Sequence, residues 1–373
     1  MGIDKRLGLL ALAACILAGP AWADVVVKIG HAGPLTGPIA HIGKDGENGV
    51  RLALEDANAA GYTLGGQKVR FELISEDDQA DPRTATTVAQ RLTDAGVKGV
   101  VGHATSGATI PASRIYEQAG VPMITPSATS PKLTQQGYHV VFRVIANDLQ
   151  QGAAMAKYAG GTLKVKKVAV VDDRSAYGQG LADAFAASAQ GQGVEVVGRE
   201  FTSDKATDFM AILTRLKGRG PDAVFYGGMD PQAAPLLRQM RQLGMTARFL
   251  GGDGACTAEM IKLAGTALTD TAYCTQAGLP MARMPGGAAF NARFRQRFDT
   301  EVQLYAPYAY DAATALVKAM VAAGSAEPEK YLPALRNTHF QGITGTIAFD
   351  AKGDIKEGGV TLYRYGEGAW VPL

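Results

Sequence analysis

An α/β protein built on parallel sheets is the fold class this sequence predicts, and three observations predict it. From Val25 onward, short β-rich apolar runs alternate with helical periods. Several of those runs are continuously apolar, as in strands covered on both faces. The strand-helix series then starts afresh at Lys167, after a helix near Gln150 to Tyr158, so the chain reads as two sheets of similar build.

The expected strands are Val25 to Ile29, Val69 to Ile74, Lys98 to Val101, Pro122 to Thr125, Val140 to Val144, Val168 to Val171, Val194 to Val197, Ala223 to Tyr226 and Phe249 to Leu250. Gly345 to Phe349 and Val360 to Tyr365 are late strands, and the region from Phe290 to Leu335 is mostly helical. Apolar residues at i, i+3, i+4 and i+7 mark one buried helix face each. They fall at Val50-Ala53-Leu54-Ala57, Ala85-Val88-Ala89-Leu92, Phe209-Ile212-Leu213-Leu216 and Ala233-Leu236-Leu237-Met240, with one polar miss in Leu181-Ala184-Phe185-Ser188. A boundary near Asn147 is the natural place for the chain to cross between sheets.

A length of 373 residues, 47% hydrophobic and 19% charged, fits a globular protein with room for two domains. The amino terminus carries Lys5-Arg6, an apolar run from Leu7 to Ala18, and Gly19-Pro20-Ala21-Trp22-Ala23 before Asp24. That order reads as a secretory signal peptide, residues 1–23, cut after Ala23. Leu12-Ala13-Ala14-Cys15 also fits a lipoprotein box, but more apolar signal follows Cys15 where an anchored protein continues into a polar tether. Without residues 1–23 the chain has 35 basic and 34 acidic residues, and no basic stripe points to nucleic acid. Cys256 and Cys274 then remain, an even pair expected to be joined in an oxidising compartment.

Two segments place small hydroxyl residues just beyond strand ends: Gly102-His103-Ala104-Thr105-Ser106 and Ile124-Thr125-Pro126-Ser127-Ala128-Thr129. Ligands of open α/β sheets bind at that edge. Hydroxyls and free N–H groups there suit a carboxylate, because they donate hydrogen bonds without adding bulk. In the second half, Tyr177-Gly178, Tyr226-Gly227-Gly228-Met229 and Gly251-Gly252-Asp253-Gly254 also follow strands. Glycines there let backbone approach a ligand, and Asp253 offers one acid facing the hydroxyls, a complement for the ammonium of a zwitterion.

Other motifs fail their tests. Gly37 to Asp45 has one residue too many for a phosphate loop and lacks the final Ser or Thr. No Gly-x-Ser-x-Gly elbow surrounds Ser106, and His-Glu-x-x-His does not occur. His103 reads as a structural histidine hydrogen-bonded to backbone. Asp77-Asp78 with Asp81 reads as a solvated turn, with Asp81 capping the helix that opens at Pro82. No cofactor, metal or nucleophile-base pair is expected.

Gly33-Pro34-Leu35-Thr36-Gly37, Asp77-Asp78-Gln79-Ala80-Asp81-Pro82, Gly102-His103, Pro111-Ala112-Ser113, Ile124-Thr125-Pro126, Phe142-Arg143, Tyr177-Gly178-Gln179-Gly180, Tyr226-Gly227-Gly228 and Phe349-Asp350-Ala351-Lys352-Gly353-Asp354 occur in an order and spacing that resembles the branched-chain amino-acid binding proteins of bacterial ABC importers. These are type I periplasmic binding proteins. The resemblance implies two doubly wound lobes joined by three crossover segments. Lobe 1 is expected to hold 24–147 with 278–350, and lobe 2 to hold 148–277 with 351–373.

It further implies that Ser106 and Thr129 hold the α-carboxylate, with backbone around Ser127 and Ala128, and that Asp253 pairs with the α-ammonium. Tyr177 would close over the ligand. Positions that are aromatic in the family fall at Ile42 and Met229 here. A first-lobe disulfide of some members would need cysteines at Ala80 and Thr105, so Cys256 and Cys274 supply a different bridge. The expected function is a monomeric periplasmic receptor for leucine, isoleucine or valine, delivering to the membrane permease subunits of an ABC importer. The alternatives are a receptor for a different amino acid, an amide or an aromatic acid, and, further off, an enzyme on a doubly wound sheet.

Overall fold

The computed structural model describes residues 24–373, so the expected signal segment and Cys15 lie outside the described residues. The first sheet contains β1 (Val25–Gly33), β2 (Thr63–Leu64), β3 (Gln67–Asp77), β4 (Gly99–Gly102), β5 (Met123–Thr125) and β6 (Val141–Arg143), in the order β2-β3-β1-β4-β5-β6. All its pairings are parallel except β2 with β3. The second sheet holds β7 (Lys167–Asp172), β8 (Glu195–Phe201), β9 (Ala223–Gly227), β10 (Arg248–Gly251) and β11 (Ala272–Ala277). A hairpin of β12 (His339–Gln341) and β13 (Thr346–Ala348) precedes β14 (Val360–Gly366) and β15 (Ala369–Pro372), which complete the second sheet in the order β15-β14-β11-β10-β9-β7-β8.

In both sheets the strand order reverses beside the first strand, β1 in one and β7 in the other. The carboxyl ends of β1 and β4, and of β7 and β9, therefore border crevices, where doubly wound folds take ligands. The periodic residues explain why helices cover these sheets. Val50, Ala53, Leu54 and Ala57 are buried along the helix Ala40–Ala60, and Ala85, Val88, Ala89 and Leu92 along Pro82–Asp94. Asp81 caps the latter through the N–H groups of Arg83 and Thr84, as expected. Ser188, the polar miss, is half-buried, and the next residue, Ala189, fills the core.

Three segments cross between the sheets side by side. The first leaves β6 and enters the helix Asp148–Gly161 through a capping box of Asn147 and Gln150. Gln150 Nε2 also donates to the Gly358 carbonyl in the third crossing, at 2.9 Å. The second crossing passes Gly278, whose N–H donates to Gly359 O at 2.6 Å and whose φ of 111° suits only glycine. A Cβ there would also collide with the Tyr308 hydroxyl.

Cys256, just after β10, and Cys274 in β11 are buried and form a disulfide with Cα atoms 5.5 Å apart. The bridge closes a loop with a sequence separation of 18. Loop-closure entropy predicts that reduction costs about 3 kcal/mol. Urea denaturation with and without a phosphine reductant measures this directly, and a loss below about 1 kcal/mol would refute the expectation.

Candidate functional site

The first half of the site is built on the ends of β4 and β5. His103 is buried, with Nδ1 2.7 Å from Asp78 Oδ2 and Nε2 3.0 Å from the Tyr116 hydroxyl. Its carbonyl accepts from Thr109 Oγ1 at 3.1 Å and Thr125 Oγ1 at 2.9 Å. His103 is thus structural, but its ring is held by side chains and not by backbone as expected. Asp78 is fully buried beside it, so the acidic turn is only partly solvated. These contacts fix the chain just before Thr105 and Ser106.

Ser106 opens the helix Ser106–Ala119, and its Oγ accepts from Ser130 N at 3.1 Å. Ser127 Oγ donates to Ala104 O at 2.9 Å, and Ala128 N–H donates to Thr125 Oγ1 at 2.9 Å. Arg143, wholly buried in β6, grips the same loop by donating to Ala128 O at 3.2 Å and Ser130 O at 2.7 Å. Its other face pairs with Asp354. Ser127 and Ala128 therefore spend their donors inside the loop. The hydroxyls of Thr105, Thr129 and Ser130 are buried and have no hydrogen-bond partner among the described residues. Buried polar groups ordinarily have one, so these mark a place where a ligand is to supply it.

The second half comes from β7, β9 and β10. Asp253 opens a short 3-10 turn after β10 and is buried. Its Oδ1 accepts from the Tyr177 hydroxyl at 2.7 Å and its Oδ2 from the Tyr305 hydroxyl at 2.8 Å. Tyr177 in turn accepts the Gly254 N–H at 2.9 Å. A Cβ on Gly254 would stand 2.7 Å from Met229 Sδ and 2.9 Å from Tyr177 Cε1, which explains a glycine at this strand end.

Tyr305 precedes the helix Ala306–Ala323, which packs against the first sheet, so its bond to Asp253 spans the cleft. A second cross-cleft contact joins His41 Nε2 to Asp230 Oδ2 at 3.1 Å, and Thr257 supports that acid from behind. Met229 is half-buried and packs against apolar clusters of both lobes, one of which contains Ile42. Sequence reasoning thus placed Ser106, Ser127, Ala128, Thr129, Tyr177, Met229, Asp253 and Ile42 on elements that meet around one cleft.

It missed Tyr305, Gln151 and Asp148. Asp148 is buried at the start of its helix, and neither carboxyl oxygen has a partner within hydrogen-bond geometry among the described residues. Burial and then the charge of Asp253 push its carboxyl up to about 8, against the pull of the nearby Thr129 hydroxyl and the Arg143 guanidinium. Burial also raises Asp253, opposed chiefly by the two tyrosine hydroxyls. Gln151, one turn on from Asp148, accepts from Thr275 Oγ1 at 2.9 Å, and its amide nitrogen has no partner within hydrogen-bond geometry among the described residues. The site therefore offers free hydroxyls from one lobe against two buried acids, with aliphatic side chains alongside.

Residues 26–369 match the family model described as periplasmic binding protein. A Pseudomonas aeruginosa relative named leucine-, isoleucine-, valine-, threonine-, and alanine-binding protein is 37% identical over 357 residues, 95% of this chain and 94% of its own. The solved leucine-binding protein LivK from Thermotoga maritima superposes with a TM-score of 0.86 at 31% identity, covering 93% of this chain and 97% of its own. LivJ from Streptococcus pneumoniae, solved with isoleucine, gives 0.82 at 29% identity over 93% of this chain and 100% of its own. Two doubly wound sheets, three adjacent crossings and a match over nearly all the described residues show that the chain belongs to the periplasmic binding protein family.

Proposed function

We propose that this protein is the solute receptor of an ABC importer, capturing leucine, isoleucine or valine between its lobes and handing it to the membrane permease. The observation that carries this reading is the split of polarity across the cleft. Unpartnered hydroxyls at Thr105, Thr129 and Ser130 lie on one side, and the carboxyl of Asp253 is buried on the other. A zwitterion satisfies both at once. Ser106 and Thr129 hold the carboxylate, Asp253 holds the ammonium, and Tyr177 covers it. Ile42 and Met229 favour an aliphatic side chain over a polar one. The names of the relatives support the same ligand class.

Export with cleavage after Ala23, followed by release into the periplasm, fits this role. No covalent step is involved. Both ring nitrogens of His103 are engaged by Asp78 and Tyr116, so it is not available to activate Ser106. A ligand that touches both lobes stabilises the closed arrangement over the open one by its differential contacts. Calorimetric titration of the mature chain with a panel of amino acids tests the reading. Stoichiometric binding of aliphatic members with no turnover is the expected result. Product formation, or no heat with any of them, would overturn it.

A further inference from the structure

The two buried acids carry more than recognition. Asp148 is faced by Thr129 and Ser130 from the β5 loop, and by Gly180 from the helix Ala176–Gly191, where a Cβ would lie 3.9 Å from Asp148 Oδ2 and 3.8 Å from Ser130 Oγ. Asp253, Tyr177 and Tyr305 are close enough for their electrostatic fields to couple to it. The cation that acts on Asp148 among the described residues is Arg143, and it is committed to Asp354, to the hydroxyl of Thr134 and to two loop carbonyls. The acids are thus left without a cation of their own.

Two neighbouring carboxyls in a dry site do not both ionise unless a positive charge stands between them. One of the pair keeps a proton until such a charge arrives. Asp253 accepts two tyrosine hydroxyls, which favours its charged form, whereas Asp148 has only the pull of the nearby Thr129 hydroxyl against its burial. The proton therefore resides on Asp148.

Resting on the receptor reading above, we propose that Asp148 and Asp253 share one proton in the ligand-free site, and that the incoming α-ammonium takes its place and expels it to solvent. The balance is simple: protein with one bound proton plus zwitterion gives complex plus one free proton, with no bond in the ligand made or broken. Burial pushes the Asp148 carboxyl up to about 8, which puts the exchange in the working range. The sign follows by linkage. Because the complex binds fewer protons than the free protein, affinity rises with pH below the free-site titration, by about tenfold per pH unit for one proton, and levels off near pH 8.

The experiment is titration with L-leucine at pH 7 in phosphate and in Tris, whose ionisation enthalpies differ widely. Wild type is expected to show a binding enthalpy that shifts between buffers by the amount for about one released proton. Asp148→Asn is expected to bind leucine with no buffer dependence. Buffer-independent enthalpy in wild type, or an unchanged count in Asp148→Asn, would overturn the proposal while leaving the receptor reading intact. Should Asp148→Asn not fold, the wild-type affinity between pH 6 and 8 decides, and a flat profile overturns it. Failure of any amino acid to bind would remove both readings together.

Discussion

Asp253→Asn is expected to weaken the binding of an aliphatic amino acid by roughly tenfold to a hundredfold, with little change in thermal stability. The estimate comes from losing one charge-assisted hydrogen bond in a dry site, about 1.5–3 kcal/mol. Two effects act together. On the proposed function the ammonium loses the anion assigned to it, and one tyrosine loses its acceptor, because an amide nitrogen accepts nothing from the hydroxyl of Tyr177 or Tyr305. Since the Tyr305 bond spans the cleft, the closed arrangement is weakened as well as the ligand contact. Calorimetry on the folded variant reads the loss. Wild-type affinity in Asp253→Asn would show that the carboxylate does not meet the ligand.

The parts of this site that were legible in the sequence share one property: they follow strands directly. Ser106, Thr129 and Asp253 stand within a few residues of β4, β5 and β10, and in a doubly wound sheet that address alone puts a side chain at the ligand edge. Asp148 also lies a few residues beyond a strand, β6, but it follows Asn147 at a helix start, where an acid is ordinary on dipole grounds, and its burial comes from the folded packing around it. Tyr305 lies beyond any apolar period, and its partner Asp253 is reached only by folding one lobe onto the other. Among the strands, β2, β11, β12 and β15 were not anticipated. Ala272-Tyr273-Cys274-Thr275-Gln276-Ala277 mixes polar and small residues because its faces meet the disulfide and the Gln151 amide as well as the core.

Asp45→Ala is expected to destabilise the protein by about 3–5 kcal/mol, the range for a buried network that loses its acceptor. Asp45 lies in the helix Ala40–Ala60 and is 3% exposed. Its carboxylate accepts the N–H groups of Gln303 at 2.8 Å, Leu304 at 3.0 Å, Tyr305 at 2.7 Å and Ala306 at 2.8 Å. The helix Ala306–Ala323 has no side-chain cap of its own, so this distant acid meets the N–H groups of its N-cap Tyr305 and first residue Ala306, together with two of the turn leading into it. Burial raises the Asp45 carboxyl while the four N–H groups oppose that shift. An asparagine carbonyl can accept from some of the four but brings an N–H₂ that has nothing to donate to, so Asp45→Asn should fall between wild type and alanine. Because the same bonds set the backbone of Tyr305, the alanine variant should also bind ligand more weakly at temperatures where it remains folded. Urea denaturation orders the three proteins. An alanine variant within about 1 kcal/mol of wild type would mean that water satisfies those four donors, and that the helix start is not held from across the lobe.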